Sequence, residues 1–365
     1  MIGKTLYRYI ARHSLKAILV TFFIIITIIM LVDFVESSRN LDSDAKVSTL
    51  SLLYLTLLKA PKLIEQTLPF IVLFGIMGAL YGMNRRSELI VMRAAGLSAW
   101  KFLRPALFVT ALLGLFWAGV INPLASKMSE RHDTLIEQWT GTSLAKKDTS
   151  IWLRDGNSSI QTVIQAKDIN LAERTIQSAT FYILDVEADN TTKFQRRYDA
   201  EFAVLTSGDF WQLYGVIENV ARVKPKTHET IALPTSITLE TLRKQTTQIS
   251  SPSFWKMPAE IKANEAAGYS SRTLRLQFHK LLSLPITLVA MTLIAAAVSM
   301  QLTREGGTIR LLITGAAAGF IVYFADNVIS AFGGSAVIPV IFAAWSVPLV
   351  TLFFGVSVLT RIEDG

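Results

Sequence analysis

The sequence predicts a helical membrane protein with a β-rich insert, and three observations carry that prediction. The 365 residues are 51% hydrophobic with a mean hydropathy of +0.40, beyond the range of an ordinary soluble chain. Uncharged apolar runs long enough to cross a bilayer stand on both sides of a middle stretch that alternates polar and apolar residues. The net charge of +8 is unevenly placed: residues 125–274 hold 18 of the 36 basic and 18 of the 28 acidic residues, so the whole excess lies in the apolar parts and their short loops. A nucleic-acid binder would place a basic face on its soluble part; here the excess behaves as membrane topology charge. With no cysteine, disulfides, thiolate metal sites and cysteine nucleophiles are excluded. His13, His132, His228 and His279 are scattered, which argues against a histidine zinc site.

Lys4, Arg8, Arg12 and Lys16 fall four apart on one helix face, a basic lead-in at a membrane surface. Residues 17–32 carry no charge, and Asp33 and Glu36 follow where a signal peptide would offer small residues for cleavage, so an uncleaved first span is expected. Residues 50–84 read as one long helix containing Pro61 and Pro69, uncharged over 66–84. Gly75, Gly78 and Gly82 line one face, with Gly78 and Gly82 as a GxxxG pair that signals close helix packing. The 22 uncharged residues of 105–126 make a third span and the 23 of 281–303 a fourth. From 311 to 360 the one charge is Asp326, room for two more spans turned at Gly333–Gly334 and Pro339. Six spans are expected.

Short-loop basic residues fall on one side: the N-terminus, Arg85, Arg86, Arg93, Lys101 and Arg104 between spans two and three, Arg304, Arg310 and Arg361. The other side has Arg39 and Lys46. The positive side is cytoplasmic, so both termini are predicted inside and the insert outside. Within the insert, Ser150–Arg154 and Ser159–Gln165 flank an Asp155–Gly156–Asn157 turn, Thr180–Glu187 reads as a strand, and Arg197–Leu205 pairs with Phe210–Ile217 around Ser207–Asp209. Val220–Val223 and Glu229–Leu233 follow, making seven or so short strands, a β-sandwich or a jelly roll. Residues 253–267 look helical and lead back to the membrane. Asn157 and Asn190 head glycosylation-type triplets, weak matches.

No GxxxxGK[ST], GxSxG or HExxH occurs, so any work done on a substrate must be driven by a partner. The segment Asn84–Trp100 has the features of a drive point. Ser87 is placed to cap a short helix, Glu88 sits in its first turn, Leu89, Ile90 and Met92 give an apolar ridge, and Gly96 is a left-handed stop. The bland alternative is a solvated loop helix with ordinary topology charge. Asp326 is either a functional intramembrane acid, a relay or gate, or an acid solvated near the outer interface, about 24 Å along the helix from Arg310 at ~1.5 Å per residue. Arg39, Lys59 and Lys62 lie at the outer ends of spans one and two, as contacts for lipid phosphate or as snorkelling cations.

RYIAR at 8–12, LVDFVE at 31–36, RRSELIVMRAAGLS at 85–98, WLRDGN at 152–157 and FADNVISAFG at 324–333 resemble the LptF/LptG permeases of the lipopolysaccharide exporter. RSEL, the DG pair and the fifth-span acid look most like the LptG branch. The resemblance implies an α-helical membrane protein with six transmembrane helices plus an inserted periplasmic β-jelly-roll domain, in the bacterial inner membrane. Its parts are spans 1–3 in residues 1–126 with a cytoplasmic coupling helix near 85–97, the jelly roll in 127–250, a periplasmic helical connector in 251–274 and spans 4–6 in 275–365. It implies a non-enzyme that extracts lipopolysaccharide, paired with a homologous permease (LptF), driven by two copies of the ATPase LptB that bind the ATP, and handing the lipid to LptC. No cofactor and no nucleic acid are implied for this chain. By position Glu88 matches the coupling-helix acid that docks in the ATPase, with Arg85, Arg86, Ser87, Leu89 and Met92 around it. Where a basic cluster is common after span one, this chain has Glu36–Ser37–Ser38–Arg39. The rival readings are the paralogous LptF role, a lipid-modifying membrane enzyme, for which no catalytic motif is present, and an envelope sensor, for which residues 84–104 are too short an output domain.

Overall fold

A computed structural model describes residues 3–40, 48–140, 151–156, 160–166, 168–170, 174–186, 192–206, 210–220, 223–235, 237, 252–266, 270–302 and 308–364. The chain divides into two compact units, Met1–Ser129 with Ser251–Gly365, and Glu130–Ser250.

The first unit is helical. It holds α1 (Lys4–Asn40), α2 (Thr49–Arg85), α3 (Glu88–Ala94), α4 (Ala99–Phe116), a π-helical turn (Trp117–Ile121), the start of α5 (Asn122–Thr140), α6 (Met257–Ala266), α7 (Arg272–Leu302), α8 (Thr308–Gly334) and α9 (Val340–Asp364). Among the described residues six stretches are long and apolar enough to cross a membrane: Lys4–Arg39, Thr49–Arg85, Ala99–Ile136, Arg272–Met300, Ile309–Gly334 and Val340–Glu363. Ser48 and Ser98 start α2 and α4 by accepting the amides of Leu50 and Lys101. Pro61, Pro69, Pro105, Pro285 and Pro348 all lie inside helices, which apolar bundles tolerate because neighbouring groups recover the freed carbonyls.

Helix α7 is the axis of this unit. Of its most apolar window 67% is buried, against 11% for α1 and for α8. One core runs through α1, α2, α3, α4, α7, α8 and α9, with Ile71, Val72, Leu73, Ile76, Leu288, Ala295 and Ala296 fully enclosed. Close approach depends on glycines other than the GxxxG pair. A Cβ at Gly75 would lie 2.8 Å from the Ile18 Cα, and one at Gly114 would lie 2.5 Å from the Pro285 Cα. At Gly78 nothing lies within 4 Å, and at Gly82 the nearest atom is His13 Nε2 at 3.8 Å. Gly75 is therefore the contact glycine of α2, because it alone of the three faces the α1 backbone.

The second unit is an antiparallel sheet of β1 (Ile151–Gly156), β2 (Ile160–Ala166), β3 (Asp168–Asn170), β4 (Thr175–Val186), β5 (Thr192–Thr206), β6 (Phe210–Val220) and β7 (Lys226–Pro234). The order is β1-β2-β4-β5-β6-β7, with β3 also on β4. The expected turn at Asp155–Gly156 is strand instead: both residues pair with β2, opposite Thr162 and Gln161. The two expected strands near 220 and 229 resolve into the end of β6 and a single β7. Asn157, Asn190 and Ser207–Asp209 lie outside the described residues.

The inward side chains do not keep a simple period of two. On β4 they run Ile176 then Ala179, on β5 Ala200 then Ala203, on β6 Leu213 then Val216, and on β7 His228 then Ile231. The skips fall at register-matched positions, and Ser178 (φ 48°) and Gly215 (φ 60°) have left-handed backbone there. A strand that turns at such a point presents its other side to the core, so the sheet creases along one line across four strands. The core of Phe181, Trp211, Ile164, Leu153 and their neighbours draws on both sides of that crease.

Candidate functional site

Two places in the helical unit gather the sequence-marked residues. The first is the α2–α3–α4 junction. Helix α2 closes with the amide of Arg86 on Asn84 and Gly82, and Ser87 then turns through a left-handed conformation, φ 60°. Ser87 occupies the cap position of α3 but its hydroxyl makes no capping bond, a correction to the sequence expectation: in the left-handed region the side chain is turned away from the free amides. The other end follows the prediction. Gly96 (φ 76°) and Leu97 donate their amides to Arg93 and Met92, the paired bonds of a Schellman stop.

The apolar ridge divides. Leu89 and Met92 are each 8% exposed and belong to the bundle core, whereas Ile90 is 61% and Val91 65% exposed. Three residues is slightly less than a helical turn, so 89 and 92 share the inner face and 90 and 91 the outer. Leu89 and Met92, expected as contacts for a partner, are thus anchors of α3; Val91 is the outward residue that pattern reading passed over. Arg85 and Arg86 are exposed. Glu88 is held from α1: the Tyr9 hydroxyl lies 3.0 and 2.9 Å from its two oxygens, Arg86 Nη1 lies 4.0 Å away, and Tyr9 stacks on His13. Tyr9 is 79 positions from Glu88, and no local signal in the sequence marks it.

The second place is a cavity of about 440 Å³ among α2, α5, α7, α8 and α9. Asp326 lines it and is not a lone acid: Lys280 of α7 lies 2.7 Å from its Oδ2 and also donates to Ser330 at 3.0 Å. Lys280 sits one residue before the uncharged run of span four, and nothing local in the sequence joins it to Asp326. Glu65 also lines the cavity and accepts from Trp117 Nε1 at 3.3 Å and Asn122 Nδ2 at 2.9 Å. The Gly119 carbonyl lies four residues before Pro123, which has no N–H to offer it, and accepts from Trp255 Nε1 at 2.9 Å, and Asn122 Oδ1 takes the Phe254 amide, 2.9 Å.

The three basic lipid-contact candidates separate. Lys59 is 2.5 Å from Asp33 of α1 and so is engaged within the bundle. Lys62 is exposed and lines the cavity, and Arg39 is exposed in the last turn of α1. Among the described residues no group of three or more histidines and acids could hold a metal ion.

Comparison with known proteins identifies the class. The family described as "Lipopolysaccharide export system permease LptF/LptG" matches residues 8–361. The chain is similar to the lipopolysaccharide export system permease protein LptG of Haemophilus influenzae, 24% identical over 365 residues and 99% of both chains. It is also similar to the protein of that name from Escherichia coli K12, 26% identical over 160 residues and 42% of each chain. A match that runs from the first helix to the last, over six apolar helices and an inserted β sheet, leaves one conclusion: the chain belongs to the LptF/LptG family, the multi-pass membrane permeases of lipopolysaccharide export.

Proposed function

We propose that this permease is the LptG-type subunit of an inner-membrane exporter, with both termini cytoplasmic and the β unit periplasmic, and that it is moved by a separate ATPase acting on α3. The observation that carries the reading is the split face of α3. Ile90 and Val91 stand exposed beside Glu88, and Leu89 and Met92 are set into the same core as Met83, Phe102 and Leu103. A push on the outer face is therefore delivered to α2 and α4 together, because a close-packed core transmits displacement. The basic side of the short loops, where α3 lies, supports the cytoplasmic assignment.

In this reading a dimer of the ATPase LptB closes on ATP and drives α3 of this chain and the matching helix of LptF. The spans narrow around a lipopolysaccharide molecule whose acyl chains lie on the apolar faces of the helices and one of whose phosphates meets Arg39. The lipid passes to the β unit, whose sheet ends at β1 and β7 and extends into LptC by strand addition at one of those edges. No covalent bond in the lipid changes.

Glu88→Lys tests the reading. Reversing the charge at the docking point should lower ATP-driven lipopolysaccharide release by about tenfold or more, with the unfolding midpoint of the purified permease unchanged. A variant that binds the ATPase and exports lipid at the normal rate would show that α3 is not the drive point. If the permease purifies with no ATPase and a second permease at all, the subunit assignment fails instead.

A further inference from the structure

We propose that Tyr9 is a positioning residue for the drive point: its hydroxyl fixes the Glu88 carboxylate in the orientation that the ATPase meets. The inference rests on α3 being the drive point, and it adds to that point a residue from another helix.

Ile10, Ser14 and Ile18 are buried and four apart, so they mark the inner face of α1. Tyr9 stands at the edge of that face, 40% exposed, where its hydroxyl reaches α3. The ring is itself braced. It stacks on His13 one turn later, with centroids 6.0 Å apart and planes 12° apart. His13 in turn lies against the last turn of α2, its Nε2 3.8 Å from where a Cβ would stand at Gly82. The hydroxyl is therefore presented from a fixed support.

Glu88 needs such a support. Ser87 gives α3 no capping bond, and the Arg86 guanidinium is 68% exposed and 4.0 Å from the carboxylate. A free glutamate side chain samples several rotamers, and docking must overcome the entropy of selecting one. The Tyr9 hydroxyl lies within 3.0 Å of both Glu88 oxygens and makes that selection beforehand. A phenol is neutral and donates one proton, whereas a carboxylate has about four acceptor sites. The negative charge and the remaining sites stay open to a cation of the ATPase, and the Glu88 side chain is 29% exposed. A tightly paired arginine in the place of Tyr9 would cancel that charge; the tyrosine orients it and leaves it intact.

The test uses the assembled exporter, the permease pair with its ATPase dimer, immobilised through the permease. It follows ATPase dissociation after dilution, where docking defects chiefly appear, together with ATP-driven lipid release from proteoliposomes. Tyr9→Phe keeps the ring and its stack on His13 and removes only the hydroxyl, so the unfolding midpoint of the purified permease should not move. Its expected effect is ATPase dissociation about three- to tenfold faster, the scale of one hydrogen bond, with lipid release slowed. Glu88→Ala should speed dissociation by at least as much. Adding Tyr9→Phe to Glu88→Ala should then change the rate by less than about 1.5-fold, because the hydroxyl acts only through the carboxylate. A merely structural tyrosine would weaken the Glu88→Ala complex further. Dissociation unchanged or slower in Tyr9→Phe while Glu88→Ala speeds it, or additive effects in the double variant, would overturn the role of Tyr9 and leave α3 as the drive point. Dissociation and release both unchanged in Glu88→Ala would overturn the drive-point reading, and the role of Tyr9 with it.

Discussion

At the scale of single residues, two of the charges that sequence reading singled out, Asp326 and Lys59, turn out to be members of pairs. Asp326 is half of a pair with Lys280, and Lys59 half of a pair with Asp33. The partners come from different helices, so no periodicity could announce them. Asp326→Asn should lower the unfolding free energy of the purified permease by about 1 kcal/mol, kept small because both side chains are partly open. Adding Lys280→Gln should recover most of that loss; a double-mutant cycle in detergent measures the coupling. The β unit offers a second test. The ring of His228, 3.1 Å away, and then the guanidinium of Arg196 hold the Glu218 carboxyl below its usual range. A folded pKa below the unfolded one gives stability that is present above about pH 4.3 and lost as pH falls through the folded value. Hydrogen exchange of the β6–β7 amides, corrected for intrinsic rates, should show protection falling in that acid window for the full chain. Glu218→Gln should remove the acid-dependent part.

At the scale of elements, close packing is decided by where a glycine points, not by its spacing motif. Gly114→Val would drive a side chain into the Pro285 backbone and should destabilise the α4–α7 contact by about 1–3 kcal/mol. Gly78→Val enters open space and should be near neutral in the purified chain. Comparing the two unfolding midpoints checks whether the GxxxG pair or the Gly114 contact matters. The β unit gives the same lesson. Its strands were legible from alternation: the expected Phe210–Ile217 lies within β6 from its first residue, whereas β5 starts at Thr192, well before the expected Arg197. The crease was not legible, because Ser178, Glu201, Gly215 and Glu229 follow no common sequence pattern, and only strand register brings them into line.

At the scale of the whole molecule, α1 and α8 are the least covered spans. Phe23 and Ile24 on α1 and Phe320 and Phe324 on α8 are each more than half exposed. Faces of that size are covered by lipid or by another permease. The chain has no cysteine, so single-cysteine probes have a clean background. In the assembled exporter, cysteines placed at Phe23 and at Phe324 should cross-link to the second permease, and one at the fully buried Ala296 should not. Cross-linking at neither exposed position would place the partner on another face.

The amino-acid sequence by itself determined the number of spans, the place of the β insert, the short helix after Arg85 and its stop at Gly96. Those features follow from local quantities: run length against bilayer thickness, charge against side, and backbone freedom at one glycine. The tertiary structure alone decided that Leu89 and Met92 face inward, that Tyr9 reaches Glu88, that Lys280 answers Asp326 and that Trp117 and Asn122 hold Glu65. Such pairings join residues far apart in the chain, and they exist only once helix packing has fixed which faces meet.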